Sequence, residues 1–332
     1  MPSGWRAVVG VAAAALLVAG VGLLLARAAG FAEVRDAIRS ADSAWFVVCL
    51  AAQVVALSAY ASVFRGALRW NGAPDPGFRL SAHVMLASIG ATRVFAAGGV
   101  GAIAVTYWCF RRAQFPADDA LVRVLGFNLL FYVAFAAGAW TAALVTATGF
   151  WGDVSLAFAA PWLILVPVCV GAALFVTRPA RVERLTRPGG SFVRRALAYA
   201  IAAVAWVRRV LPDPAGGRML AATVIYWAAN VACLWASLRS VGENVPLPEL
   251  LLAFAAGHAA MILPLPLGGV GGVDAAMTYA LTAVGVPLAL ALVAVGVYRL
   301  FAFWVPTVPA LAALLLVPRA GARLARLEPA PS

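Results

Sequence analysis

The sequence predicts an all-α polytopic membrane protein with about six full spans and two glycine-broken re-entrant helical hairpins in an inverted repeat. Three observations predict it. The chain of 332 residues is 64% hydrophobic and only 11% charged, against roughly half apolar and about a quarter charged in soluble domains. Apolar runs of span length recur along it. Its basic residues gather in the gaps between those runs. No water-soluble fold could cover this much apolar surface, so the solvent must be lipid. No long polar stretch remains to build a soluble catalytic domain.

About twenty apolar residues cross the hydrocarbon core as a helix. The segments 7–29, 44–66, 120–147, 157–177, 219–238 and 288–317 meet that need. In the first of them, Ala26-Arg27-Ala28 resembles a cleavage site. Its apolar core exceeds the roughly 7–15 residues of a signal peptide, so it reads as an uncleaved span. Regions 80–110 and 250–284 are broken by glycines near their middles. Each is too long for one span and short for two.

Orientation follows from arginine, which supplies all 25 basic residues and a net charge of +12. Segment 30–43 balances Arg35 and Arg39 with Glu33, Asp36 and Asp42, so it should lie outside. The gap holding Arg65, Arg69 and Arg79, the connector 178–218 with nine arginines, and the tail with Arg319, Arg323 and Arg326 should lie inside. Sorted so, about nineteen arginines face the cytoplasm and about four face out, as the positive-inside rule requires. The prediction is a multi-pass protein of the inner or plasma membrane with both termini cytoplasmic. Region 80–110 then starts and ends inside, and 250–284 starts and ends outside. Both read as hairpins that turn within the membrane, where protein or a water-filled cavity must satisfy the backbone. The stretch 192–210 has a short apolar core flanked by arginine pairs and reads as a cytoplasmic interfacial helix, with a short span as the alternative.

The whole chain, 1–332, reads as one transmembrane domain containing a repeat. Gly98-Gly99-Val100-Gly101 recurs as Gly268-Gly269-Val270-Gly271, an offset of 170. Gly72 and Pro76 meet Gly242 and Pro246 at that offset, and Pro116 meets Pro287 with one residue inserted. Repeat one covers about 44–147 and repeat two about 219–317, joined by the connector 178–218. Opposite orientation of the two copies makes the repeat inverted, which points to a transporter site near the membrane midplane. The expected turn residues are Gly98, Gly99, Gly101, Gly268, Gly269, Gly271 and Gly272. Pro264 and Pro266 would end a half-helix ahead of the second turn.

Charge inside lipid costs at least about 2.5–3.5 kcal/mol per residue on insertion scales. Arg93, Asp274 and Arg299 therefore stand out. A buried Asp274–Arg299 pair would relieve both desolvation costs. Two readings stay open: the pair only locks the repeat, or Arg299 and Arg93 hold an anionic headgroup. The planar guanidinium fork suits phosphate, and helix N-termini at the glycine turns favour anions. Other chemistry is excluded or weakly signalled. The four cysteines, Cys49, Cys109, Cys169 and Cys233, lack disulfide or zinc spacing. His83 and His258 lack a ligand pattern, so neither metal nor cofactor is expected. No nucleophile elbow, phosphate loop or dinucleotide fingerprint occurs. The arginines lie in short loops rather than on a soluble face with interleaved aromatics, which argues against nucleic acid.

Pro264-Leu265-Pro266-Leu267-Gly268-Gly269-Val270-Gly271-Gly272-Val273-Asp274, followed by Tyr298-Arg299 and Pro306, resembles the lysylphosphatidylglycerol synthase transmembrane region, or flippase-like domain family. The resemblance covers nearly the whole chain. It departs from the family pattern in carrying Asp274 where glutamate is commoner. The first copy, Phe95-Ala96-Ala97-Gly98-Gly99, lacks the proline, with Ala104 at the acidic position and Asn128 at the arginine position. The resemblance implies a polytopic membrane protein that moves or handles anionic phospholipids or polyprenyl-linked lipids. It also adds Tyr298 to the headgroup site. Members that make aminoacylated phosphatidylglycerol carry a cytosolic synthase domain, and this chain ends soon after its last span, so the expectation inclines away from an enzyme. Two other readings stand beside transport: a membrane-embedded lipid-phosphate transferase, and a non-catalytic subunit docking a cytosolic enzyme through 178–218.

Overall fold

The computed structural model describes residues 20, 23, 27–70, 74–94, 99–149, 156–178, 191–260 and 271–327. Every regular element among them is helical. In chain order these are α1 (Phe31–Ser40), α2 (Ala44–Arg69), α3 (Phe78–Val94), α4 (Val100–Arg112), α5 (Ala117–Ala147), α6 (Leu156–Val176) and α7 (Phe192–Val210). Then follow α8 (Pro214–Ser240), α9 (Leu247–Ala259), α10 (Gly272–Ala283), α11 (Leu288–Arg299), a π-helical turn (Leu300–Trp304), α12 (Val305–Leu315) and α13 (Val317–Leu324).

Five stretches are long and apolar enough to cross a membrane: Ala44–Arg69, Ala117–Ala147, Phe158–Val176, Pro214–Ser240 and Leu288–Leu315. They coincide with five of the expected spans. The expected first span, 7–29, lies largely outside the described residues. On α6 the side chains of Ile164, Leu165, Val168, Val170 and Phe175 are all at least half exposed. That apolar face suits lipid.

The core follows from how α2 and α8 pack. Cys49 Sγ lies 3.6 Å from Ser237 Oγ, Tyr60 packs on Tyr226 at 5.8 Å, and Gly66 abuts the Met219 side chain. Advancing along α2 means retreating along α8, so the two helices are antiparallel. Their interface joins two hydrophobic clusters. One gathers the C-terminal half of α2 with α3, α4, α5 and α7 around Phe64, Phe110 and Phe127. The other gathers the C-terminal half of α8 with α9, α10 and α11 around Leu234, Phe254 and Met277.

Among the described residues, regions 80–110 and 250–284 each hold two helices that pack against one another, α3 with α4 and α9 with α10. At 17, 13, 13 and 12 residues, none reaches the roughly twenty residues of a span. Helix α4 starts after Gly99 at φ 83°, and α10 after Gly271 at φ 90°. A side chain would be strained at either position. Gly99 and Gly271 thus stand at equivalent helix starts. Gly101 lies in the first turn of α4 and Gly272 opens α10. Gly98, Pro264, Pro266, Gly268 and Gly269 lie outside the described residues.

The turns that follow the two pairs share one backbone form. Phe115 N–H donates to Phe110 O and Gln114 N–H to Arg111 O; Val286 N–H donates to Leu281 O and Gly285 N–H to Thr282 O. Gln114 (φ 66°) and Gly285 (φ 97°) take the left-handed position, as a Schellman motif demands. Pro116 and Pro287 then begin α5 and α11.

The stretch 192–210 is helix α7, capped by Ser191. It presses Trp206 into the notch left by Gly126 on α5, and it leaves Arg194, Arg195, Arg208 and Arg209 exposed. One expected span differs in form. Segment 288–317 is interrupted by the π turn, where Val305 N–H reaches back to Leu300 O. Pro306 follows immediately and has no N–H to continue the ladder.

Candidate functional site

The site begins with the start of α10. A glycine with positive φ turns the chain into the helix and leaves the first N–H groups free. Asp274 sits in that first turn, and its Oδ2 accepts from Gly271 N at 3.0 Å. Its Oδ1 accepts from Arg299 Nε at the end of α11. The pair is mostly buried, with side-chain exposures of 15% and 17%. One carboxylate thus ties the glycine turn to the last span.

Arg299 uses one edge of its guanidinium for this pair. Its Nη2 is buried with no hydrogen-bond partner among the described residues. Arg93, from the last turn of α3, has its Nε in the same condition and forms no ion pair among the described residues. Both guanidiniums converge on one ring. Arg93 Cζ lies 3.5 Å from the Phe303 centroid, and Arg299 Cζ lies 5.8 Å from it. Phe303, only 4% exposed, belongs to the π turn that follows Arg299. The centre thus holds two guanidinium groups and one carboxylate, one positive charge in excess of the ion pair.

Over residues 8–310 the sequence matches the family described as the lysylphosphatidylglycerol synthase TM region. This chain belongs to that family. No match is found among curated proteins. Membership of the lysylphosphatidylglycerol synthase TM family, together with the apolar helices, makes it a multi-pass membrane protein tied to lipid handling. Of the residues that carry the resemblance, Gly271, Asp274 and Arg299 meet in one place.

The remaining site residues divide. Tyr298 lies about 100° round α11 from Arg299; its ring is 3% exposed and stands edge-on to Phe254 at 6.1 Å. His258 packs against Phe254 at 4.1 Å and Trp227 at 5.5 Å, with Nδ1 3.1 Å from Phe254 O. Asn128, at the first repeat's arginine position, turns its amide back to Val124 O at 2.7 Å. With α4 and α10 aligned at their starts, Ala102 stands opposite Asp274, so the charged pair belongs to the second half alone.

Three further buried residues were not singled out from the sequence. Phe303 carried no signal beyond standing four residues after Arg299. Thr278, one turn beyond Asp274, buries its hydroxyl without a partner among the described residues. Arg123 is 4% exposed, pairs with Asp119 at 2.8 Å and donates to Ala67 O and Trp70 O at 3.0 and 3.1 Å. It caps the C-terminus of α2, a structural role. Its spacing of four from Asp119 was the available clue.

Proposed function

We propose that the protein is a flippase-like lipid transporter that holds the anionic headgroup of a phospholipid or polyprenyl-linked lipid between Arg93 and Arg299. One observation carries the reading: two guanidiniums from different halves of the chain lie on Phe303, and each buries an N–H that has no partner among the described residues. A buried cation without a partner is costly, and a phosphate oxygen supplies both the charge and the acceptors that it lacks.

The packing supports a carrier rather than a static anchor. Antiparallel α2 and α8 are what an inverted repeat demands of equivalent spans. The contacts repeat in exchanged form: α3 packs on α12 while α9 packs on α5, and α4 packs on α5 while α10 packs on α11. Two re-entrant pairs of short helices from opposite faces then meet at a mid-depth site, and rocking about it exposes the headgroup alternately to each side. The cell membrane with cytoplasmic termini is the setting that the arginine distribution favours.

The test is reconstitution in phosphatidylcholine vesicles carrying a trace of headgroup-labelled phosphatidylglycerol, with translocation read from the label's accessibility. Arg299→Ala and Arg93→Ala each abolish movement while the protein stays folded and monodisperse in detergent. Movement at the parent rate in both variants refutes the headgroup role.

A further inference from the structure

A groove of about 610 Å³ lies between α5, α8 and α9. Its volume falls in the range of roughly 300–1,000 Å³ typical of ligand sites. The lining is apolar: the rings of Phe135, Trp227, Trp235 and Phe254 stand among aliphatic residues and Gly138. The Trp227 indole N–H is already spent on Phe131 O at 2.8 Å. Water would find few partners here.

The groove opens sideways. Val224, Trp235 and Leu247 line it and remain 52%, 36% and 61% exposed. Two of its walls, α5 and α8, are span-length helices, so the opening faces hydrocarbon. The wall also has room: a methyl group added at Gly138 would meet no atom within 4 Å. Inward, the lining reaches the buried Phe254, which packs edge-on to Tyr298, the residue before Arg299. Phe254 and Tyr298 thus link the groove's lining to the helix that carries Arg299.

We infer that this groove seats a hydrocarbon tail of the amphiphile whose headgroup reaches the Arg93–Arg299 centre. The headgroup half rests on the proposed function; the tail half stands on the groove's lining, its lateral mouth and its volume. A tail entering from the bilayer exchanges one apolar surround for another, and the rings order it in one lane.

The experiment uses the full chain in phosphatidylcholine vesicles containing phosphatidylglycerol with a diazirine near the end of one tail. After irradiation, labelled positions are mapped by mass spectrometry. Label on Val224–Trp235 and Leu247–Ala255 should exceed that on the lipid-exposed face of α6 by about tenfold, the ratio of a site favoured by about 1.4 kcal/mol. Gly138→Trp fills the groove and removes this excess, while label on α6 is unchanged. Gly138→Ala, adding only a methyl into open space, keeps it. If Gly138→Trp does not fold, Ala232→Leu blocks the same wall. Equal labelling of groove and α6, or an excess that survives the blocking variant, overturns the inference. Groove labelling that Arg299→Ala leaves intact supports the tail lane and counts against the headgroup reading alone.

Discussion

Asp274 spends its two oxygens on different elements, the glycine turn and the last span. Removing it strips Arg299 of its only ion-pair partner among the described residues. Breaking a buried pair from one side costs about 3–5 kcal/mol, because the survivor stays charged. Asp274→Ala should therefore lower the unfolding midpoint in detergent markedly. The double variant Asp274→Ala/Arg299→Ala should recover part of that loss. A double variant as unstable as the two losses summed would mean that the pair does not interact. A second residue-scale test concerns Gln114, which holds φ 66° where its counterpart is Gly285. Left-handed backbone costs a side chain about 1–2 kcal/mol. Gln114→Gly should raise stability by about 1 kcal/mol, less the entropy that glycine gains when unfolded. A lowered midpoint would show that the side chain contributes more than its backbone costs.

Among elements, the contact between α3 and α12 sets where Arg93 lies. Gly90 lets the helices close: a Cβ there would fall 2.4 Å from Ala310 O, a backbone atom that cannot step aside. Small residues at helix contacts serve this purpose in membranes. Gly90→Ala should cost about 1–3 kcal/mol by forcing the helices apart. It should also weaken lipid movement, since Arg93 is one turn away on the same helix. Unchanged thermal stability would show that α12 moves aside freely. The π turn works at the same scale. It carries Phe303, one turn after Arg299, the ring on which both guanidiniums lie.

At the scale of the molecule, antiparallel α2 and α8 form a spine shared by two cores. That arrangement predicts how single cysteines report topology in a background lacking the exposed Cys169. Arg79→Cys and Arg112→Cys, before and after the first helix pair, should react with an impermeant maleimide from one side. Glu243→Cys and Gly285→Cys, around the second pair, should react from the other. Reaction of Arg79→Cys and Arg112→Cys from opposite sides would turn the first pair into a crossing and remove the inverted symmetry.

Hydropathy is a local property, so lipid as solvent, five of the spans and the charged residues worth watching could all be read along the chain. Asp274 and Arg299 were legible because a charge in an apolar run is conspicuous wherever it folds. Prolines and glycines marked where helices begin, since their backbone limits are intrinsic. Repeated glycines align equally well in several registers, and a positive φ such as that of Gly99 and Gly271 is set by the folded backbone. Beyond the Asp274–Arg299 pair, what meets what was out of reach of the sequence. Arg93 and Phe303 lie on elements far apart in the chain, and their contact depends on α3 closing against α12 at Gly90. The apolar groove exists only because α5, α8 and α9 leave space that none of them fills, and unfilled space is a property of packing, not of any residue.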